Sequence, residues 1–231
     1  MSQPYVHPET LVDAQWLLDH LNDPHVRIIE ADEDPLLYET GHIANAAKID
    51  WHVDVQDPLR RDFVDQAAFE ALASRLGISN DTTVVFYGDR NNWYAAYSFW
   101  LFRLYGHRDL RLLNGGRIKW EQEGHAYTKD VPTFAATTYH APAADLSIRA
   151  FRPQVEASLG TAGNALVDVR SPEEYRGELT HMVNYPQEGA SRGGHIPTAR
   201  SIPWARAANA DGTFKSADDL RALYAAEHVT P

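Results

Sequence analysis

Apolar and polar positions along this chain follow two periods, and the switches between them mark its elements. In "HPETLVDAQWLLDHLND", from His7, apolar residues at Leu11, Ala14, Leu17, Leu18 and Leu21 fall three or four apart, which predicts an N-capped helix. A β-branched run predicts a strand over 26–31. It is followed by a short helix near 35–40, a brief strand over 47–49 and a helix over about 66–76 closed by Gly77. "TVVFY" predicts a strand over 83–87, the polar turn "GDRNN" interrupts it, and an aromatic-rich helix runs over 93–105. The run "LRLLN" at 110–114 predicts a last strand before the tail "GGRIKWEQEG". Near-continuous apolar strands alternating with helices imply a parallel sheet covered on both faces, an α/β fold.

The pattern then starts again. "GHIANAAKIDW", from Gly41, and "GHIPTARSIPW", from Gly194, share Gly, His, Ile, Ala, Ile and Trp at identical spacing, 153 positions apart. Upstream, "VRIIEAD" at 26–32 parallels "ALVDVRS" at 165–171, and Tyr38 parallels Tyr175. Downstream, Phe63, Phe69, Leu72 and Ile78 parallel Phe214, Leu220, Leu223 and Val229. Two domains of one α/β design are therefore expected, at 1–130 and 148–231, the second opening with a helix near 151–160. The stretch 131–147 has no period and two prolines, and reads as a linker. On this alignment Pro231 corresponds to Asn80, so the second copy is incomplete before its counterpart of the strand at 83–87 and of the turn at Gly88 and Asp89. Its sheet edge and helix faces are expected to be exposed, and that half to be marginal.

Composition narrows the chemistry. The formal net charge of −11 disfavours non-specific nucleic-acid or anionic-membrane binding, so an anionic substrate needs a local positive site. No apolar run approaches the ~18 residues of a membrane span, and "MSQPYVHPETLV" has neither the basic nor the apolar region of a signal peptide, so a cytoplasmic location is expected. There is no cysteine, which removes disulfides and thiol chemistry from these 231 residues. The 11 histidines form no metal-ligand spacing.

The segments "YGDRNNWYAAYSFWLFRLYGH", "LLNGGRIKWEQEG", "DVRSPEEYRGELTHM" and "NYPQEGASRGGHIPTARSIPW" resemble the tandem rhodanese-type thiosulfate sulfurtransferases over essentially the whole chain. The resemblance implies a catalytically silent first domain, with Gly88 and Asp89 where a nucleophile would stand, and a second domain whose strand-to-helix turn carries an active cysteine. That cysteine is absent here, so no catalytic residue is assigned and the chain as given is expected to be inactive. The implied chemistry moves sulfane sulfur from thiosulfate to cyanide or a thiol through a cysteine persulfide, without metal or organic cofactor. Two alternatives stay open: a non-catalytic rhodanese-like binding or regulatory module, and a 3-mercaptopyruvate sulfurtransferase. The related phosphatase use of the fold is a third.

Loops at the carboxyl ends of parallel strands are the default binding positions. Arg170 ends the first strand of the second copy and Arg176 follows it; either can hold a sulfonate-like anion, or form a structural pair with an acid. Tyr175 and Gly194 are 19 apart where Tyr38 and Gly41 are three apart, so the second copy carries a long loop, with Arg192 near its end, able to wall a pocket. Trp204 is a further candidate for the cleft, although its twin Trp51 argues for architecture, as the pair His42 and His195 does.

Overall fold

In a computed structural model, residues 4–182 and 184–230 are described. Contacts divide the chain into one unit of Val6–Arg149 with Ala210–Thr213, and another built on Ala150–Asn209 with the chain from Phe214 onward.

The first unit is a five-stranded parallel sheet. Its strands are β1 (Leu11–Val12), β2 (Val26–Glu30), β3 (Ala46–Lys48), β4 (Thr83–Tyr87) and β5 (Leu110–Leu113), in spatial order β1-β5-β4-β2-β3. Helices α1 (Ala14–Asp19), α2 (Leu37–Thr40), α3 (Gln66–Arg75), α4 (Asp89–Leu104) and α5 (Gly116–Gln122) connect them. Central strands β2 and β4 are buried on both faces, which explains why both read as unbroken apolar runs. On one face Leu17, Val26, Ile28, Ile43, Ala46, Val85, Tyr87, Leu113 and Trp120 form a single apolar cluster. Elsewhere Phe69 is the hub of an aromatic group, stacked on Tyr105 at 4.5 Å and edge-on to Phe102 at 4.8 Å and to Tyr139 at 5.7 Å.

Two expectations change here. Leu11 does not belong to the first helix: Leu11 and Val12 pair in parallel with Leu112 and Leu113, and the helix begins after Asp13, whose carboxylate accepts the Trp16 N–H at 2.7 Å. The stretch 131–147 is packed along the first unit. Tyr139 donates its N–H to Ser74 Oγ at 3.0 Å, its ring contacts Phe69, and its hydroxyl lies 2.9 Å from His107 Nδ1. The Ala141 N–H reaches Glu70 at 2.8 Å, and Arg27 lies over the Phe134 ring at 3.5 Å. Only Tyr139 of this stretch is buried, so it is held to the first unit by individual contacts, not by an apolar face.

The second unit contains α6 (Arg152–Ser158), β6 (Val167–Asp168), α7 (Pro172–Arg176), β7 (Arg200–Ser201) and α8 (Ala217–Ala226). Strands β6 and β7 form a two-stranded parallel sheet, Val167 opposite Arg200 and Asp168 opposite Ser201. The local design of the first unit recurs in detail. Tyr38 stacks on His42 and Tyr175 on His195, both at 3.8 Å between centroids. The Tyr38 hydroxyl donates to the Ala46 carbonyl at 2.7 Å and that of Tyr175 to the Ala199 carbonyl at 2.9 Å. Gly77 after α3 and His228 after α8 both take a left-handed conformation, at φ 67° and 60°. The shared histidines make the same local contacts in both units, His42 buried and His195 exposed.

Burial separates the units. Among the described residues, the buried apolar side chains of the second unit are Ala199, Ile202 and Ala217. On α3, Phe69 and Leu72 are buried, whereas their α8 counterparts Leu220 and Leu223 are only partly covered. The strand pairing also corrects the alignment read from sequence. Ile29 faces Ala47 as Val167 faces Arg200, so residues 26–32 correspond to 164–170 and Asp168 is the counterpart of Glu30. No helix among the described residues is long and apolar enough to cross a membrane.

Candidate active-site cavity and the silent loop

The first unit presents its strand-to-helix turn at the carboxyl end of β4. Gly88 is extended, at φ −176°, so its backbone suits any residue; what it needs is space, because a Cβ there would meet the Ala31 carbonyl oxygen. Arg90, Asn91 and Asn92 are all left-handed, at φ 46°, 57° and 63°, before α4 continues with regular geometry. That conformation costs roughly 1–2 kcal/mol per non-glycine residue, and Asn92 offsets part of it. Its side chain, fully buried, accepts the Gly88 N–H at 3.0 Å and donates to the Leu113 carbonyl at 2.7 Å.

Asp89 faces away from any substrate role. Its carboxylate accepts the N–H groups of Glu33 at 2.6 Å and Asp34 at 3.3 Å, while burial pushes its pKa up. Beneath it lies a buried polar group. Glu30 receives Arg117 and the Tyr87 hydroxyl, and Arg117 also donates to the Gly41 carbonyl at 3.0 Å. Asp32 accepts the Asp89 N–H at 2.8 Å through Oδ1, and burial together with neighbouring Glu30 raises its pKa to about 10. Its Oδ2 is buried without a hydrogen-bond partner, and the nearby Glu30 carboxylate favours the protonated form. The turn from Gly88 to Asn92 holds no Cys, Ser or Thr, and burial favours the protonated form of the Asp32 carboxyl beneath it.

In the second unit a cavity of about 710 Å³ is lined by residues 166–170, by 192–197 and by Ala199. Much of it corresponds to interior in the first unit. Leu166, Ile196 and Ala199 are counterparts of Ile28, Ile43 and Ala46, which pack there with Val85, Tyr87 and Trp120. Ile43 is 0% exposed and Ile196 48%. The charged and titratable residues lining it are Asp168, Arg170, Arg192 and His195. Arg170 pairs with Asp168 through Nε at 3.0 Å and Nη2 at 2.7 Å, which holds the Asp168 carboxyl below its ordinary pKa.

Of the four residues proposed from sequence, the structure brings Arg170 and Arg192 to this cavity. Arg176 stands elsewhere, bonded to Glu178 at 2.6 and 2.9 Å. Trp204 is half-buried, starting a short 3-10 turn whose N–H reaches the Val169 carbonyl at 3.0 Å; it does not line the cavity. Sequence reading missed Glu30, Asp32 and Arg117, although "LLNGGRIKW" sets Arg117 directly after two left-handed glycines. Among the described residues no group of His, Cys, Asp and Glu side chains is arranged to hold a metal.

Comparison with known proteins agrees with this geometry. Residues 13–123 match the model of the rhodanese-like domain. The chain is 59% identical over 223 residues to the sulfur carrier protein TtuD of Thermus thermophilus, covering 95% of this chain and 78% of that one. It is 53% identical over 221 residues to the putative thiosulfate sulfurtransferase SseA of Mycobacterium tuberculosis, covering 95% and 74%. Among solved structures it superimposes on the 3-mercaptopyruvate sulfurtransferase SseA of Escherichia coli with a TM-score of 0.81 at 22% identity, covering 96% of this chain and 84% of that one. It superimposes on YnjE with a TM-score of 0.82 at 29% identity. With the fold shared with the solved structures and close identity to the sequence relatives, the chain belongs to the rhodanese family of thiosulfate sulfurtransferases.

Proposed function

We propose that this chain supplies the silent domain and the opening part of the catalytic domain of a cytoplasmic thiosulfate sulfurtransferase. Sulfur transfer then belongs to a second-unit loop equivalent to Gly88–Trp93, outside these 231 residues. In that reaction a cysteine thiolate attacks the outer sulfur of thiosulfate, and the sulfur–sulfur bond breaks. Sulfite leaves with the electron pair, and a persulfide remains for an acceptor thiol or cyanide to take up. One relative is named a sulfur carrier protein, which supports a role in passing sulfur on.

The observation that carries the reading is the pairing of two facts. The loop that is present is closed by Asp89, whose carboxylate accepts the backbone N–H groups of Glu33 and Asp34 after β2, and the chain contains no cysteine. The domain limits read from sequence, 1–130 and 148–231, enter as part of this proposal, with 131–147 acting as a strap on the first unit.

The test is a thiosulfate–cyanide assay. The 231-residue chain should form no thiocyanate above the uncatalysed rate, and a protein of this sequence extended through a second-unit cysteine loop should form it. Turnover by the 231-residue chain alone would refute the assignment, and so would an inactive extended protein. Thiosulfate binding that is lost in Arg192→Gln would support the anion-holding role of the cavity rim.

A further inference from the structure

Each unit holds a carboxylate, a guanidinium and a glycine carbonyl in one connected group, but the guanidinium comes from different places. In the first unit the carboxylate is Glu30 at the end of β2, the carbonyl is Gly41, and Arg117 arrives from α5, some 87 residues along the chain. In the second unit the carboxylate is Asp168, at the position equivalent to Glu30, and the carbonyl is Gly194, at the position equivalent to Gly41. The arginine there is Arg170, two residues along the same strand end. Its Nη2 donates to Asp168 at 2.7 Å and to the Gly194 carbonyl at 2.8 Å. The first-unit counterpart of Arg170 is Asp32, which carries no positive charge and accepts a loop N–H instead.

We infer that Arg170 is a positioning residue: it braces Gly194, and through it the cavity wall from Gly193 to Pro197, in the role that Arg117 plays for Gly41. Three observations support this. Its donors are engaged on both partners at short range. The Asp168 side chain is 10% exposed, so an unpaired charge there is costly. Gly177, at the end of α7, packs closely on Gly194, a Cβ at Gly177 falling 2.7 Å from the Gly194 nitrogen, so a small displacement of Gly194 toward it is resisted by backbone. The second unit consequently needs no arginine from a counterpart of α5. The cation left to face an anionic sulfur donor is Arg192, and this last step alone rests on the sulfurtransferase reading.

The test compares Arg170→Lys, Arg170→Gln, Asp168→Asn and Arg192→Gln in the 231-residue chain by residue-resolved hydrogen exchange and by thiosulfate titration. Lysine keeps the charge but offers a point donor, so it holds one partner well and both poorly. Arg170→Gln and Asp168→Asn are expected to speed exchange over Gly194–Ile202 at least tenfold, Arg170→Lys by an intermediate factor, and Arg192→Gln not at all. If the brace reading is right, Arg170→Lys keeps thiosulfate affinity within about threefold while Arg192→Gln loses tenfold or more. Should Arg170→Gln unfold the unit, the lysine variant decides by itself. Unchanged exchange in Arg170→Lys with thiosulfate affinity abolished would make Arg170 a ligand and overturn the inference. Absence of thiosulfate binding in the parent chain would count against the proposed function of the cavity, while the exchange series would still judge the brace.

Discussion

Asp32 offers the sharpest perturbation, because a buried acid held neutral at pH 7 costs stability in a way that a neutral isostere does not. The folded carboxyl has a pKa of about 10, against 3.8 for the unconstrained group, through burial and the neighbouring Glu30. Above pH 3.8 the unfolded chain releases this proton and the folded chain keeps it. Folding therefore loses about 1.4 kcal/mol for every pH unit between the two values, and stability falls as pH rises. At pH 7 that amounts to a ceiling of roughly 4 kcal/mol. Asp32→Asn keeps the acceptor for the Asp89 N–H and replaces the acid proton by an amide donor toward Glu30. The variant should match the parent near pH 4 and exceed it by about 2–4 kcal/mol at pH 7. Urea unfolding followed by tryptophan fluorescence at pH 4, 5.5 and 7 measures the difference, the first unit holding Trp16, Trp51, Trp93, Trp100 and Trp120. A difference that does not change with pH, or a variant less stable at pH 7, would show that Asp32 is ionised in the folded protein and would refute the reasoning.

Other consequences follow from single residues. Gly88→Ala drives a methyl group against the carbonyl of Ala31, whose own N–H donates to the Tyr87 carbonyl at 2.9 Å, so relief requires β2 and β4 to part; a loss of about 3 kcal/mol or more is expected, and a melting curve like the parent's would contradict it. Asn92→Ala removes both anchors of the left-handed turn, and thermal melting should report a loss of about 2–3 kcal/mol. Burial lowers the pKa of His107, so the unfolded chain takes up a proton that the folded chain resists. First-unit stability should therefore fall as pH drops through 6.5 toward the lowered folded value, and His107→Gln should flatten that limb of the urea-midpoint profile. Amide protons in residues 165–202 should exchange faster than those in 26–115, since the second unit buries so few apolar side chains; equal protection would count against a marginal second unit.

How far the sequence could be read depended on whether a pattern repeats along an element or arises from single contacts. Strands β2 and β4 were legible because both faces are buried, leaving an apolar run that no surface element shows. Strand β1 was hidden: a two-residue strand has no period of its own, and Leu11 sits three positions from Ala14, so it joined the helical series. The strap over 131–147 was illegible for a different reason, since its bonds to Ser74 and Glu70 are made individually and leave no spacing to detect. The silent loop could be located by its strand and glycine, but not its three left-handed residues, because Arg90 carries none of the usual signs of that conformation.

The site depended on register. Aligning 26–32 with 165–171 sets Asp168 against Ile29, whereas the strand pairing sets it against Glu30. Side chains alternate between faces along a strand, so a slip of one residue exchanges a buried carboxylate for an apolar neighbour and conceals the shared group. The repeat around Gly41 and Gly194 could not reveal the slip, because the two units differ in length between the strand and that glycine by the long loop before Arg192. Once the strands are paired correctly, Arg117 and Arg170 become two solutions to one electrostatic requirement: a buried carboxylate at the end of a parallel strand needs a cation. Supplying it from α5 ties the strand to a later helix. Supplying it from the strand's own end, as Arg170 does, keeps the pair within one loop and ties it to the Gly194 carbonyl.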